Sequence, residues 1–125
     1  ASPASLGGGG GGGAAGAKGP VPGGSDFVPL NDRGSGPPLF LLPGAFLQTD
    51  LYRPFAALLP LPVYGFGWLK GTRPRSAWPS TLDELSEAVS QQVLELCPDG
   101  ACFFAGHSFG AVLAIEVARR LESRS

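Results

Sequence analysis

The sequence predicts an α/β fold, a mostly parallel sheet with helices packed on its faces, and three observations carry that expectation. From Leu39 onward, short apolar runs alternate with amphipathic stretches in the order strand, helix, strand, helix, strand, helix, the pattern of parallel strands joined by crossovers. The run Leu39 to Leu42 is apolar at every position, as in a strand covered on both faces. Turn formers stand at the carboxyl ends of two predicted strands, Pro43-Gly44 and Gly106 to Gly110, the end at which such sheets gather ligands.

The fold is expected in residues 26–125 only. Thirteen of the 20 glycines precede Leu39, including an unbroken run from Gly7 to Gly13. Such a run has no side chains to bury and loses much backbone entropy on ordering, so residues 1–25 read as a disordered Gly/Pro-rich linker. The alternative of a phosphate-binding loop is weak, because no Gly-Lys-Ser or Gly-Lys-Thr closes the run.

"FVPLN", from Phe27, reads as a short strand that Pro29 confines to a sheet edge, where a missing N–H costs little. "LFLLPG" is the buried strand. "TDLYRPFAALLP" sets Leu51, Phe55, Leu58 and Leu59 at helical spacing with Thr49 or Asp50 as cap. Pro54 places the start of that helix near Arg53, or kinks it. "VYGFG", Val63 to Gly67, returns as a strand, and Gly65 within it marks a close approach of backbone or ligand. A long loop follows from Trp68 to Pro79.

The clearest helix is "PSTLDELSEAVSQQVLELCPDG". Ser80 or Thr81 caps it, Asp83, Glu84 and Glu87 suit its positive end, and Leu82, Leu85, Val89, Val93 and Leu96 share one face. Pro98, Asp99 and Gly100 stop it. "ACFFA" is the third core strand, and "AVLAIEVARRL" the last helix.

Composition narrows the function. The 125 residues carry a formal net charge of -1 with no long basic tract, which argues against nucleic acid as partner; Lys70, Arg73 and Arg75 read as solvated loop. No stretch reaches transmembrane length and the N-terminus has no secretory pattern, so no membrane is expected. Two cysteines, Cys97 and Cys102, beside a single histidine indicate neither a disulfide scaffold nor a metal site, and suit reduced thiols in a cytoplasmic protein.

Gly106-His107-Ser108-Phe109-Gly110 matches Gly-x-Ser-x-Gly, with an apolar strand running in and a helix running out. In that context the letters have a physical reason. A sharp turn leaves little room at Gly106 and Gly110 and forces Ser108 into a strained conformation that lifts its hydroxyl clear of the sheet. Acyl transfer through such a serine needs donors for a developing oxyanion. Phe109 offers the N–H that follows the nucleophile, and Gly44 or Ala45 the N–H from the neighbouring strand end. His107, adjacent in a tight turn, is directed away from the serine oxygen and is expected to be a packed or hydrogen-bonded support. Asp83 and Asp99 read as cap and turn residues. Only 17 residues follow Ser108 and none is histidine, so a serine, acid, histidine order is not completed within these residues.

"SDFVPLNDRGSGPPLFLLPG", "TLDELSEAVSQQVLELCPDG" and "FFAGHSFGAVLAIEVARRL" resemble the N-terminal half of thioesterase domains that terminate polyketide, fatty-acid and nonribosomal-peptide assembly lines. The resemblance runs from about Ser25 to Leu121 and implies an α/β-hydrolase fold that stops after the nucleophile helix. It implies that Ser108 accepts an acyl chain from the phosphopantetheine arm of an acyl or peptidyl carrier domain in the same polypeptide, with no cofactor bound directly. Phe109 and Gly44 would then be the oxyanion donors, and the glycine-rich linker a tether that raises effective concentration. The family's aspartate, histidine and lid fall beyond Ser125, which implies negligible turnover by these residues alone. "PGAFLQTD" departs from the family's more glycine-rich loop, so Phe46 and Leu47 would reshape the acyl entrance. Phe46, Leu47, Phe66 and Trp68 line an apolar pocket or pack in the core.

Two other readings share these residues. The same elbow serves carboxylesterases and lipases. A catalytically inactive fragment that binds an acyl group or a protein is the third, with an uncovered strand edge as its mark.

Overall fold

The computed structural model describes residues 25–44, 49–67, 79 and 81–124. The expected linker before residue 25, the donor candidate Ala45, the entrance residues Phe46 and Leu47, and Trp68, Lys70, Arg73, Arg75 and Ser80 lie outside the described residues.

Four strands form one sheet: β1 (Phe27–Pro29), β2 (Leu39–Leu42), β3 (Val63–Phe66) and β4 (Phe103–Gly106), in the spatial order β1-β3-β2-β4. β2 pairs in parallel with β3 and with β4, while β1 runs antiparallel to β3 on the edge that Pro29 demands. Side-chain alternation then divides two cores. Phe40, Leu42, Tyr64, Phe66 and Phe27 point to one face, where they meet Leu85, Val89 and Val93 of α2 (Leu82–Leu96) and Leu113, Ala114 and Val117 of α3 (Phe109–Ser123). Leu41 and Val63 point to the other face, against Leu30 and Ala56. Phe40 is the centre of the first core, with ring centroids 5.1 Å from Phe27, 5.7 Å from Tyr64 and 5.8 Å from Phe104. Burial pushes the Tyr64 hydroxyl above its ordinary pKa, so it stays protonated.

Phe66 is fully buried in this core and so takes the packing role rather than the pocket one. β4 begins two residues later than "ACFFA" suggests. Gly100, at φ +71, and an Asx turn in which Ala101 N–H donates to Asp99 Oδ1 (2.9 Å) carry the chain further before it can pair, and Gly106 then completes the register opposite Leu42. Asp99 is thus the turn residue expected.

The segment after β2 also differs. Thr49–Tyr52 is a 3-10 turn and α1 (Arg53–Ala56) a single helical turn, with Pro54 near its start where the absent N–H has no helical partner to lose. Leu51, Phe55 and Leu58 have the spacing of a buried helix face yet are exposed, because so short a helix presents only Ala56 to the sheet. Neither Thr49 nor Asp50 caps it: Thr49 Oγ1 is buried without a partner among the described residues, and Asp50 pairs with Arg53 at 2.8 Å.

α2 is capped by Thr81, whose side chain accepts from Glu84 N–H at 3.1 Å. Asp83, expected as a cap residue, instead binds Arg120 of α3. Arg120 also donates to Ser86 Oγ at 2.9 Å and Glu87 at 3.1 Å, and Arg124 to Glu87 at 2.5 Å, so the two helices are fastened along their solvent seam. Cys97 and Cys102 are both free thiols, and a hydrogen bond with Cys102 together with burial pushes Cys97 well above the ordinary thiol range. No helix among the described residues is long and apolar enough to cross a membrane, and no cluster of three metal-ligating side chains occurs among them.

Candidate active site

The reversal between β4 and α3 uses two residues, His107 and Ser108. His107 N–H donates to Leu42 carbonyl oxygen at 3.1 Å, which extends the β2–β4 ladder past Gly106. The helix then starts on the turn itself: Gly110 N–H donates to His107 oxygen and Ala111 N–H to Ser108 oxygen, each at 2.9 Å. For the chain to double back this tightly, Ser108 takes φ 59° and ψ −128° and is the one non-glycine residue at positive φ among those described. That region is normally left to glycine, so a serine there stores strain of about 1–3 kcal/mol.

The two flanking glycines are explained by what surrounds them. A Cβ on Gly106 would lie 2.5 Å from Ala111 Cα and from Gly110 oxygen. A Cβ on Gly110 would overlap the carbonyl oxygens of Leu42 and Pro43. Helix α3 therefore rests end-on against the carboxyl end of β2, and the elbow and the β2 turn form one place. Gly44 follows directly and is buried beside them.

Ser108 is exposed and makes no cap hydrogen bond to α3, so its hydroxyl is not tied to the helix it precedes. Phe109, the first residue of α3, carries its N–H in the turn where the helix dipole is positive. The structure thus brings Ser108, Phe109 and Gly44 to one end of the sheet. An exposed hydroxyl beside backbone donors suits attack on a carbonyl carbon and stabilisation of the resulting oxyanion.

His107 differs from expectation. The residue is exposed rather than packed beneath the turn, and the support it gives comes from its backbone, donor to Leu42 and acceptor from Gly110. Its place next to a residue with positive φ turns it outward, which a linear motif does not reveal. A cavity of about 660 Å³ lies beside the outer edge of β4, lined by Cys102, Phe104, Ile115 and Arg119 among others, and none of the elbow residues borders it.

Sequence reasoning missed two supports. The Arg120 and Arg124 contacts to Asp83 and Glu87 had a signal, an acidic pair and a basic pair each at i, i+4 on neighbouring helices. The other is the packing of Thr49 against Gly65: a Cβ at Gly65 would overlap Thr49 Oγ1 and come within 2.8 Å of Leu30 Cδ1. The expected close approach is therefore made by side chains.

Comparison with known proteins places this geometry. Residues 37–125 match the model of the thioesterase domain family. The chain is 28% identical over 99 residues to the polyketide synthase PksR of Bacillus subtilis (strain 168), covering 79% of this chain and 4% of that protein. It is 33% identical over 106 residues to atromentin synthetase invA5 of Paxillus involutus, covering 77% and 10% respectively. Among solved structures it is similar to the NocB thioesterase domain in covalent complex with a fluorophosphonate nocardicin G analog, with a TM-score of 0.68 at 23% identity, over 78% of this chain and 44% of that one. The chain thus spans a small part of both synthetases and less than half of the NocB chain, and the last likeness supports the α/β-hydrolase architecture. With the family model covering β2, β3 and β4, the elbow and the helices around it, this chain belongs to the thioesterase domain family.

Proposed function

We propose that the chain is the nucleophile-bearing part of a serine thioesterase that takes an acyl group from a carrier-protein phosphopantetheine thioester. One observation carries the reading: an exposed Ser108 held at φ 59° between a parallel strand and a helix, with its hydroxyl free of the helix cap. Membership of the thioesterase family supports the reaction class, and the two synthetase relatives support a carrier domain in the same polypeptide as partner.

In this reading Ser108 Oγ attacks the thioester carbonyl carbon while its proton passes to a general base. The carbonyl electrons move onto oxygen, where Phe109 N–H and Gly44 or Ala45 N–H receive the charge. Collapse of the tetrahedral intermediate breaks the carbon–sulfur bond, and the pantetheine sulfur leaves with the proton from the base. Water, or a nucleophile on the acyl chain, repeats the sequence and frees Ser108. The resemblance assigns the base to a histidine of a longer polypeptide, and His107 is not given that role.

The test is covalent capture. In the full polypeptide, where the base of this reading is present, a fluorophosphonate probe is expected to modify Ser108 in preference to the other serines, and the adduct is expected to vanish in Ser108→Ala. A folded full polypeptide whose Ser108 reacts no faster than other serines would overturn the reading. In the full polypeptide, transfer from an acyl-loaded carrier is expected to outpace hydrolysis of a free oxygen ester, and the reverse order would identify a carboxylesterase.

A further inference from the structure

The turn between α2 and β4 holds both cysteines of the chain, and acyl transfer uses neither. Cys97 caps α2 at its carboxyl end, and Gly100 N–H donates back to the Cys97 carbonyl oxygen at 2.9 Å. Gly100, at φ +71, supplies the left-handed step of that reversal. The chain so folded sets Cys97 Sγ 3.5 Å from the carbonyl oxygen of Ala101, the residue before Cys102, and the two thiols hydrogen-bond to each other. Sulfurs this close can bond after side-chain rotation and small backbone shifts. Their surroundings differ. Cys97 is 3% exposed, and its thiol also donates to Asp99 Oδ1 at 3.3 Å. Cys102 is half-buried and forms part of the wall of the cavity beside the outer edge of β4. This end of β4 is the one remote from Ser108.

We propose that Cys97 and Cys102 are a redox-active dithiol, in which Cys102 forms a mixed disulfide with a low-molecular-weight disulfide and Cys97 closes it to a disulfide within the chain. The cavity gives a small disulfide access to Cys102, whereas Cys97 is closed off. The Cys102 thiolate attacks one sulfur of the incoming disulfide. That sulfur–sulfur bond breaks, and the departing thiolate takes up the proton that Cys102 lost. Two contributions that keep Cys97 protonated, the hydrogen bond to Cys102 and the negative charge of Cys102, end once Cys102 is capped. Cys97 then loses its proton and attacks Cys102 Sγ, and the second small thiolate leaves with that proton. Two electrons pass from the protein to the small molecule: two protein thiols and one small disulfide become one protein disulfide and two small thiols. The ring joins the end of α2 to the start of β4 and keeps Cys102 from the irreversible sulfinic and sulfonic states.

The test treats the folded full polypeptide with oxidised glutathione and digests it before each aspartate, which cuts between Pro98 and Asp99 and parts the two cysteines. The expected product is a pair of peptides joined by a disulfide that a reducing agent separates, from a protein that still runs as a single chain in a non-reducing gel. Cys97→Ser is expected to stop at glutathione on Cys102, and Cys102→Ser to take up glutathione on Cys97 about tenfold more slowly than that. In the unoxidised wild type iodoacetamide should reach Cys102 about tenfold faster than Cys97, a reading for which no variant has to fold. Both wild-type thiols left free, glutathione that stays on wild-type Cys102 without closure, or alkylation of Cys97 as fast as that of Cys102 would each overturn the proposal.

Discussion

Gly110, in the first turn of α3, lies against the carbonyl oxygen of Leu42, the last residue of β2, with no room for a methyl group between them. The obstacle is backbone on both sides, so neither partner can rotate away. Gly110→Ala is expected to lower stability by about 3 kcal/mol or more in urea unfolding. Gly36, at φ +90 with nothing near its Cβ position, gives the contrast: Gly36→Ala should cost only about 1 kcal/mol, from conformation alone.

Strain at Ser108 predicts an unusual direction for a mutation in a site. Ser108→Gly relieves a positive φ, and after the added flexibility of glycine in the unfolded chain it should raise stability by about 1 kcal/mol. Ser108→Ala keeps the strain and should leave the thermal midpoint near that of the wild type. A stabilised Ser108→Ala would assign the effect to the hydroxyl instead.

Thr49 offers a similar gain by another route. Thr49→Val keeps the shape and replaces the unpartnered hydroxyl with a methyl, so stability should rise by about 1 kcal/mol. Equilibrium unfolding of the pair of proteins measures it directly.

Arg120 joins three residues of α2 from a side chain that is 22% exposed. Arg120→Met removes the bonds to Ser86 and Glu87 while keeping much of the packing, and should cost about 2 kcal/mol. Arg120→Lys should recover less than half of that, since an ammonium group cannot reproduce the planar fork. Urea midpoints of the three proteins decide the order.

Glu87 sets an acid limit. Hydrogen bonds from Arg124 first, then Gln91 and Arg120, hold its carboxyl below the ordinary value of 4.5 in the folded chain. A depressed folded-state pKa contributes stability that is fully present above pH 4.5 and lost as pH falls through the lower value. Glu87→Gln should therefore flatten the fall of the thermal midpoint below that pH. Because the group is exposed, the difference should shrink in about 0.5 M salt.

How much of this was legible depends on the range of the force that fixes each feature. The buried run Leu39 to Leu42, the 3.6-residue stripe of α2 and the glycine-serine-glycine turn are local, and the elements stand where their letters put them. Leu51, Phe55 and Leu58 carried the same kind of stripe without a surface to meet, because apolar spacing states what a helix would bury and not whether it is long enough to do so. The start of β4 was set by the turn chemistry of Asp99 and Gly100, not by the first apolar residue. At the site, Gly106 and Gly110 were readable as crowded positions. The outward turn of His107 and the partner of Gly65 were not, since both depend on atoms brought from 65 or 16 residues away: His107 sits after β4 on account of its ladder bond to Leu42 of β2, and Gly65 accommodates Thr49.

The order of strands across the sheet, β1-β3-β2-β4, has a bearing on how the molecule is made. β2 seats the end of α3, yet it leaves the ribosome long before its second neighbour. Roughly sixty residues separate Leu42 from Phe103, and at about 5–20 residues per second that is several seconds of synthesis. During this interval one flank of an all-apolar segment waits without its mate, open to ladders with a neighbouring nascent chain. The stage of greatest danger to the protein is thus birth, and polysomes translating it should need a holding chaperone until the β4 codons have been read.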